Sequence, residues 1–477
     1  MTATPHGTGL PRLANYMIAM ALMCLPALWN HFPLMFDDVG GYLERWPTGS
    51  LGHGRSTVYG LLLWVTRGGA FVPVILLQAL VTTFVVDRMI RIFASRGPVL
   101  VKLGSPRRSE NANSGSSTWL LPCVIAVLAL TSGVALFVSK VIPDAWAAPA
   151  VLAEHLLAWH REDLGKRERA AMAGIIAFAG ASHMATFGVL AGLSALDSIA
   201  WLARRRLHEA PIGVAFASAA VWSGLLLLLC VNVIVAGRFA LTPGGEVYVF
   251  GRMVEDGMAR EILREECPRA DWQLCAFQEA LPDYSEAFIF DHESPLQKIG
   301  GENDPRVRSE IISIITRSLV RHPIEHLERA IALTARQFVD VGIGGALEPL
   351  MGQHVRWTLT VYAPQLVPGF DAAHQQTESI DLSPWSDWVV IPISIVASFT
   401  LPVLAVLLWR SGRPRDAMLP AMMFTALLGN AVICGVTTGS DDRYQARLAW
   451  IATLTVGLRV QAWARGEHSS RIGAGVT

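Results

Sequence analysis

Two acids stand side by side in FPLMFDDVGGYLERW, the stretch from Phe32 to Trp46. Asp37 and Asp38 follow an apolar run by about ten residues, close to where a helix would leave a membrane. A carboxylate at that depth can take a proton from an incoming hydroxyl, the work of a general base. The glycines after Asp38 allow backbone to pack tightly beside the acid. Other apolar runs are flanked in the same way. SKVIPDAW carries Lys140 and Asp144, and GSDDRYQARLAW carries Asp441, Asp442, Arg443 and Arg447. GRSTVYGLLLW carries Arg55 and has the amphipathic pattern of an interfacial helix, while ASHMATFG places His183 at a turn. Lysine holds a phosphate as a point charge and arginine as a two-toothed fork. Plainer readings stand beside these: interfacial anchors for Lys140 and Asp144, a local ion pair for DDR, a satisfied turn residue for His183. Charge near a membrane is costly, and that cost weighs toward function.

The elements that must position these residues are greasy. Of 477 residues, 52% are hydrophobic and 16% charged, with a mean hydropathy of +0.39. A soluble domain does not have this composition. The net charge is zero, so nothing argues for a nucleic-acid partner. The fold class expected is an all-α polytopic membrane protein. Apolar runs near 13–31, 70–92, 118–139, 144–159, 170–203 (read as two short helices), 211–236, 387–409, 415–436 and 443–463 give about ten transmembrane helices. Basic clusters in the loop 94–117, KRER, ARRR, WRSGRPRD and the tail all fall on one side under that count, which makes that side cytoplasmic. Asp37 and Asp38 then face outward, as does the long polar region.

Three units follow: an N-terminal transmembrane module of about seven spans (1–237), a mostly helical extracytoplasmic domain (238–386) and a C-terminal module of about three spans (387–477). Four cysteines lie in apolar runs. Cys267 and Cys275 lie in EECPRADWQLCAF and suit a local disulfide in an oxidising compartment.

This pattern resembles the GT-C class of membrane glycosyltransferases, which includes the protein mannosyltransferases and the aminoarabinose-transferase-like enzymes. Members carry an acid in the first external loop, often with an aromatic about four residues on. Asp38 and Tyr42 in DVGGY have that spacing, and Asp144 stands where a second external acid is often found. The resemblance covers the first half of the chain and departs from the commoner Asp-Glu form. It implies a polyprenyl-phosphate-linked sugar as donor, an extracytoplasmic glycan, lipid or protein as acceptor, and a multi-pass protein of a bacterial inner membrane with its active site on the periplasmic side. Asp38 is then the expected base, with Asp37 and Asp144 as further catalytic acids. Arg443, Arg447, Lys140, Arg55, His183 and Tyr42 are expected around the substrate. A divalent metal on the Asp pair is left open, two adjacent acids being a weak ligand set.

Two other readings compete. An O-antigen-type polymerase or ligase would lean on Arg321, His322, His326 and Arg329 in VRHPIEHLER. A lipid or solute transporter would need polar groups deep in spans, where the sequence offers Glu154, His155 and Asp197.

Overall fold

The computed structural model describes residues 9–52, 54–93, 119–203, 211–267, 269–378 and 381–474. It is about 80% helical. Among the described residues there is no strand, only an isolated parallel bridge between Leu34 and Lys140. The basic loop 94–117, the ARRR cluster beyond Ala203 and the first eight residues lie outside the described residues.

Among the described residues, six helices are long and apolar enough to cross a membrane: Arg12–Trp29, Val72–Phe93, Met184–Leu202, Ile212–Ala236, Ser383–Arg410 and Pro414–Thr438. Their outward faces keep large apolar side chains in the open, as Leu226, Ile234 and Val396 do, and hydrocarbon is the solvent that suits them. The count is six where the sequence suggests about ten. The run 118–139 is split at Ser132, whose backbone is extended, into Leu120–Thr131 and Val134–Ser139. The run 144–159 is a tight turn, Pro143–Trp146, followed by a 13-residue helix, Ala147–Trp159. The first half of 170–203 is the 17-residue helix Lys166–Ser182. The last run lies inside the unbroken 33-residue helix Asp442–Ala474, where Arg447 and Arg459 interrupt the apolar sequence.

Packing explains why Ala147–Trp159 departs from span length. Every residue from Ala147 to Ala158 is buried. The helix Ala147–Trp159 is sheathed by Val72–Phe93, Lys166–Ser182, Pro211–Ala236 and Asp442–Ala474. A helix enclosed by other helices meets no lipid, so it needs neither a span's length nor an apolar outer face. Most of the bundle's buried apolar residues form one continuous core.

The polar region divides into two parts by its cores. Residues from Val247 to Ile314 bury their own apolar cluster, built by the helices Gly245–Glu255, Met258–Glu266 and Pro305–Arg321. Cys267 and Cys275 are joined there in a disulfide, with Cα atoms 5.4 Å apart. Beyond it, the helix Pro323–Val339 runs against the span helix Pro414–Thr438. Leu350, Val355, Leu359 and Phe370 then enter the core of the membrane bundle. The stretch that follows this unit therefore folds back onto the membrane helices and closes over the Asp37–Asp38 segment.

Candidate functional site

Asp37 and Asp38 diverge. Asp37 Oδ1 accepts the Val355 N–H at 3.0 Å, capping the start of the helix His354–Tyr362 from 318 residues away. That is the geometry of a helix N-cap supplied by another part of the chain. Asp38 opens the short helix Asp38–Leu43 and turns the other way. Its Oδ1 is ion-paired with Arg55, and its Oδ2 lies 3.4 Å from Arg443 Nη1. The side chain is 19% exposed. The two glycines have separate uses. A Cβ at Gly40 would lie 2.9 Å from both His354 Nδ1 and Thr358 Oγ1, and one at Gly41 would lie 3.2 Å from Arg55 Cγ. Gly40 thus admits the helix that Asp37 caps, and Gly41 admits the guanidinium that Asp38 holds.

Arg55 reaches inward because Ser56, the next residue, caps the helix Thr57–Thr66 by accepting from the Val58 N–H. The Arg55 guanidinium also sits 5.8 Å from the Tyr42 ring. Arg443 and Arg447 lie four residues apart on the helix Asp442–Ala474, hence on one face. The Arg443 guanidinium covers the Phe36 ring at 4.1 Å, and Lys140 Nζ lies 5.2 Å from the same ring. Lys140 is held by the Leu34 bridge and by the Gln78 amide, which donates to the Lys140 carbonyl at 2.9 Å.

Arg447 is fully buried beneath this layer. It donates to Asp144 Oδ1 at 2.7 Å, to His183 Nδ1 at 3.0 Å and to Asn430 Oδ1 at 2.8 Å. His183 must be neutral at Nδ1 to accept that bond. Asp144 is 2% exposed, and its charge is matched by Arg447.

A cavity of about 220 Å³ opens beside these groups. Lys140, Arg443 and Phe36 line it, as do the carboxylates of Glu348, Asp441 and Asp442. Of the nine site residues read from the sequence, Lys140 and Arg443 line it. Asp38 and, through Asp38, Arg55 join it by way of Arg443, with Tyr42 packed behind Arg55. Asp144, Arg447 and His183 form the supporting layer, and Asp37 is a cap. The sequence reading missed Phe36, Glu348 and Asn430. Phe36 had a signal, as an aromatic beside the acid pair; Asn430 had only its polarity within the apolar run of Pro414–Thr438.

The donor set does not suit a divalent ion on the Asp pair. Asp37 is committed to a backbone N–H and Asp38 to two guanidiniums, so the two carboxylates do not converge. The VRHPIEHLER residues are also committed elsewhere. Arg321 and His322 pair with Glu265, His326 bonds Ser318, and Arg329 donates to the Asp256 carbonyl. None of them lines the cavity.

Burial, and then repulsion from Arg443, lower the Lys140 ammonium to about 8. Burial, and then repulsion from Asp441 and Asp340, raise Asp442 to about 6. A cationic Lys140 that binds an anionic substrate therefore has a pH limit within reach. The ratio kcat/KM for an anionic donor should fall as pH rises through about 8, and Lys140→Arg should remove that limb. Unfolding through this group cannot imitate the effect. Because the folded state releases the proton at a lower pH than the unfolded chain, unfolded protein binds more protons between about 8 and 10.5, and stability rises with pH there. A flat profile in the wild type would take Lys140 out of donor binding.

No protein-family model, no curated protein and no solved structure matches the chain.

Proposed function

We propose that the protein is an integral-membrane glycosyltransferase of the GT-C type, moving a sugar from a polyprenyl-phosphate carrier to an extracytoplasmic glycan, lipid or protein. Its setting would be a bacterial inner membrane with the site on the periplasmic side, as the basic loops indicate. The observation that carries this reading is that ion pairs join Arg55 and Asp38 to Arg443, which lines one cavity together with Lys140, the four residues coming from separate parts of the chain. A cavity of about 220 Å³ is below the roughly 300–1,000 Å³ of drug-sized ligand pockets and suits a sugar-phosphate head better than an oligosaccharide. The cations lining it suit phosphate, and the carboxylates lining it suit sugar hydroxyls.

In the resting arrangement Asp38 neutralises the two guanidiniums. A donor phosphate competes for them, and Asp38 is then free to act as a base. The acceptor hydroxyl gives its proton to Asp38 as its oxygen forms a bond to the anomeric carbon. The bond from that carbon to the phosphate oxygen breaks, and the electron pair leaves with the polyprenyl phosphate. Arg443, Arg55 and Lys140 stabilise the charge that develops on the phosphate.

The test is to incubate the purified protein in nanodiscs with hexosyl, pentosyl and aminosugar polyprenyl phosphates, together with extracted envelope acceptors, and to follow release of the lipid phosphate. Release of none would leave a binding or transport protein instead. Within the enzyme reading, Arg443→Ala should raise the donor KM and lower kcat, with Arg443→Lys recovering part of both because charge returns without the fork. Unchanged kinetics in Arg443→Ala would remove it from the phosphate site.

A further inference from the structure

A second ionisable cluster lies away from the cavity, inside the bundle. Glu154 is on the enclosed helix Ala147–Trp159, and Asp197 is on the neighbouring helix Met184–Ala203. Both residues are fully buried. The two helices are in contact, and the two carboxyls are neighbours. Trp159 Nε1 donates to Asp197 Oδ1 at 3.0 Å. Asp197 Oδ2 and both Glu154 oxygens have no donor among the described residues.

The neighbours supply no counter-charge. Val72–Phe93, Lys166–Ser182, Pro211–Ala236, Pro414–Thr438 and Asp442–Ala474 also pack on the Glu154 helix. Among the described residues no cation is hydrogen-bonded to the Glu154 carboxyl or to Asp197 Oδ2. Arg459 and His160 face His155 instead, the next residue round the helix. Two ionised carboxylates in contact would be two acceptors with nothing between them, deep in a low-dielectric interior. A hydrogen on one oxygen turns the contact into a strong O–H···O⁻ bond and removes one of the two charges.

We propose that Glu154 and Asp197 form a proton-binding site within the membrane bundle, the two carboxyls sharing one proton at neutral pH. The site is distinct from the Asp38 cavity. It lies about two turns, on the order of 10 Å, along the helix from Ala147, where that helix leaves the Asp144 turn. The proposal does not depend on the sugar-transfer reading, and its failure would leave that reading untouched.

Infrared spectroscopy of the full chain in lipid nanodiscs tests it directly, because a protonated carboxyl has a C=O stretch separate from the amide and carboxylate bands. The measurement is made at about pH 7.5, where Asp442, with its value near 6, is ionised. The expected spectrum holds one carboxylic-acid band, lost in Glu154→Gln and in Asp197→Asn. Either amide keeps the shape and donates an N–H to the remaining carboxylate, which therefore ionises. A wild-type spectrum without that band overturns the proposal, as does a band that persists at full strength in both variants. A band that vanishes when sodium replaces choline as the only cation also overturns it, and assigns the pair to a metal cation instead.

Discussion

Asp38→Asn stops sugar transfer while donor still binds. The amide keeps the shape of the side chain and can still accept from Arg55, but it cannot take the acceptor proton. Loss of a general base costs about 10²–10⁴ in rate. The change has a second consequence peculiar to this geometry. Asp38 neutralises Arg55 and Arg443 in the resting state. With a neutral amide in its place the two guanidiniums have no counter-charge to give up, so the donor KM should fall while kcat collapses. Single-turnover transfer from a labelled donor, read beside equilibrium donor binding, separates the two effects. A kcat within a few-fold of wild type would end the assignment of Asp38 as base. Asp37→Asn is the natural control. Asn at that position still accepts the Val355 N–H, so turnover should hardly change, whereas Asp37→Ala loses the cap and about 1 kcal/mol of stability.

The contrast between these neighbours shows what sequence can and cannot carry. That acids and bases cluster just outside apolar runs is written in the local order of residues, and so is the helical, membrane-embedded character of the chain. Asp37's partner is not, because the capped helix begins 318 residues later. The return of 341–377 to the membrane core was equally hidden. It depends on contacts such as Gln375, whose side chain accepts the Met35 N–H and donates to the Met35 carbonyl, in place of a neighbouring strand. No periodicity announces a glutamine of this kind. The span count failed for a related reason. Hydropathy reports how apolar a run is, not whether lipid or protein surrounds it. Ala147–Trp159 is as apolar as a span and is enclosed on all sides, while Asp442–Ala474 carries arginines that are paired inside the bundle. Asn430 was invisible for the same reason. A single amide in an apolar run matters here because it bonds Arg447, Gln445 and the Tyr444 carbonyl together.

The buried layer under the cavity sets the largest expected effect on stability. Arg447 and Asp144 are fully or nearly fully buried and joined at 2.7 Å. Removing one member leaves the other as an uncompensated charge, a loss of about 3–5 kcal/mol. Arg447→Met also takes donors from His183 and Asn430. Either Arg447→Met or Asp144→Leu should therefore lower the melting temperature sharply or prevent recovery of folded protein. Replacing both removes the pair without leaving one of its charges alone, and exchanging a buried ion pair for apolar residues of similar volume is often neutral or better. The double variant should regain most of the lost stability, as read by fluorescence-detected melting in detergent. That recovered protein then decides what Arg447 does. Arg447 does not line the cavity, and its forks already serve four partners, Cys434 among them. The refolded double variant should accordingly bind donor within a few-fold of wild type, with any loss appearing in kcat through the placement of Arg443 one turn away. A stable double variant that no longer binds donor would put the Arg447 guanidinium on the phosphate after all, and would mean that the helix Asp442–Ala474 turns on its axis when the donor enters.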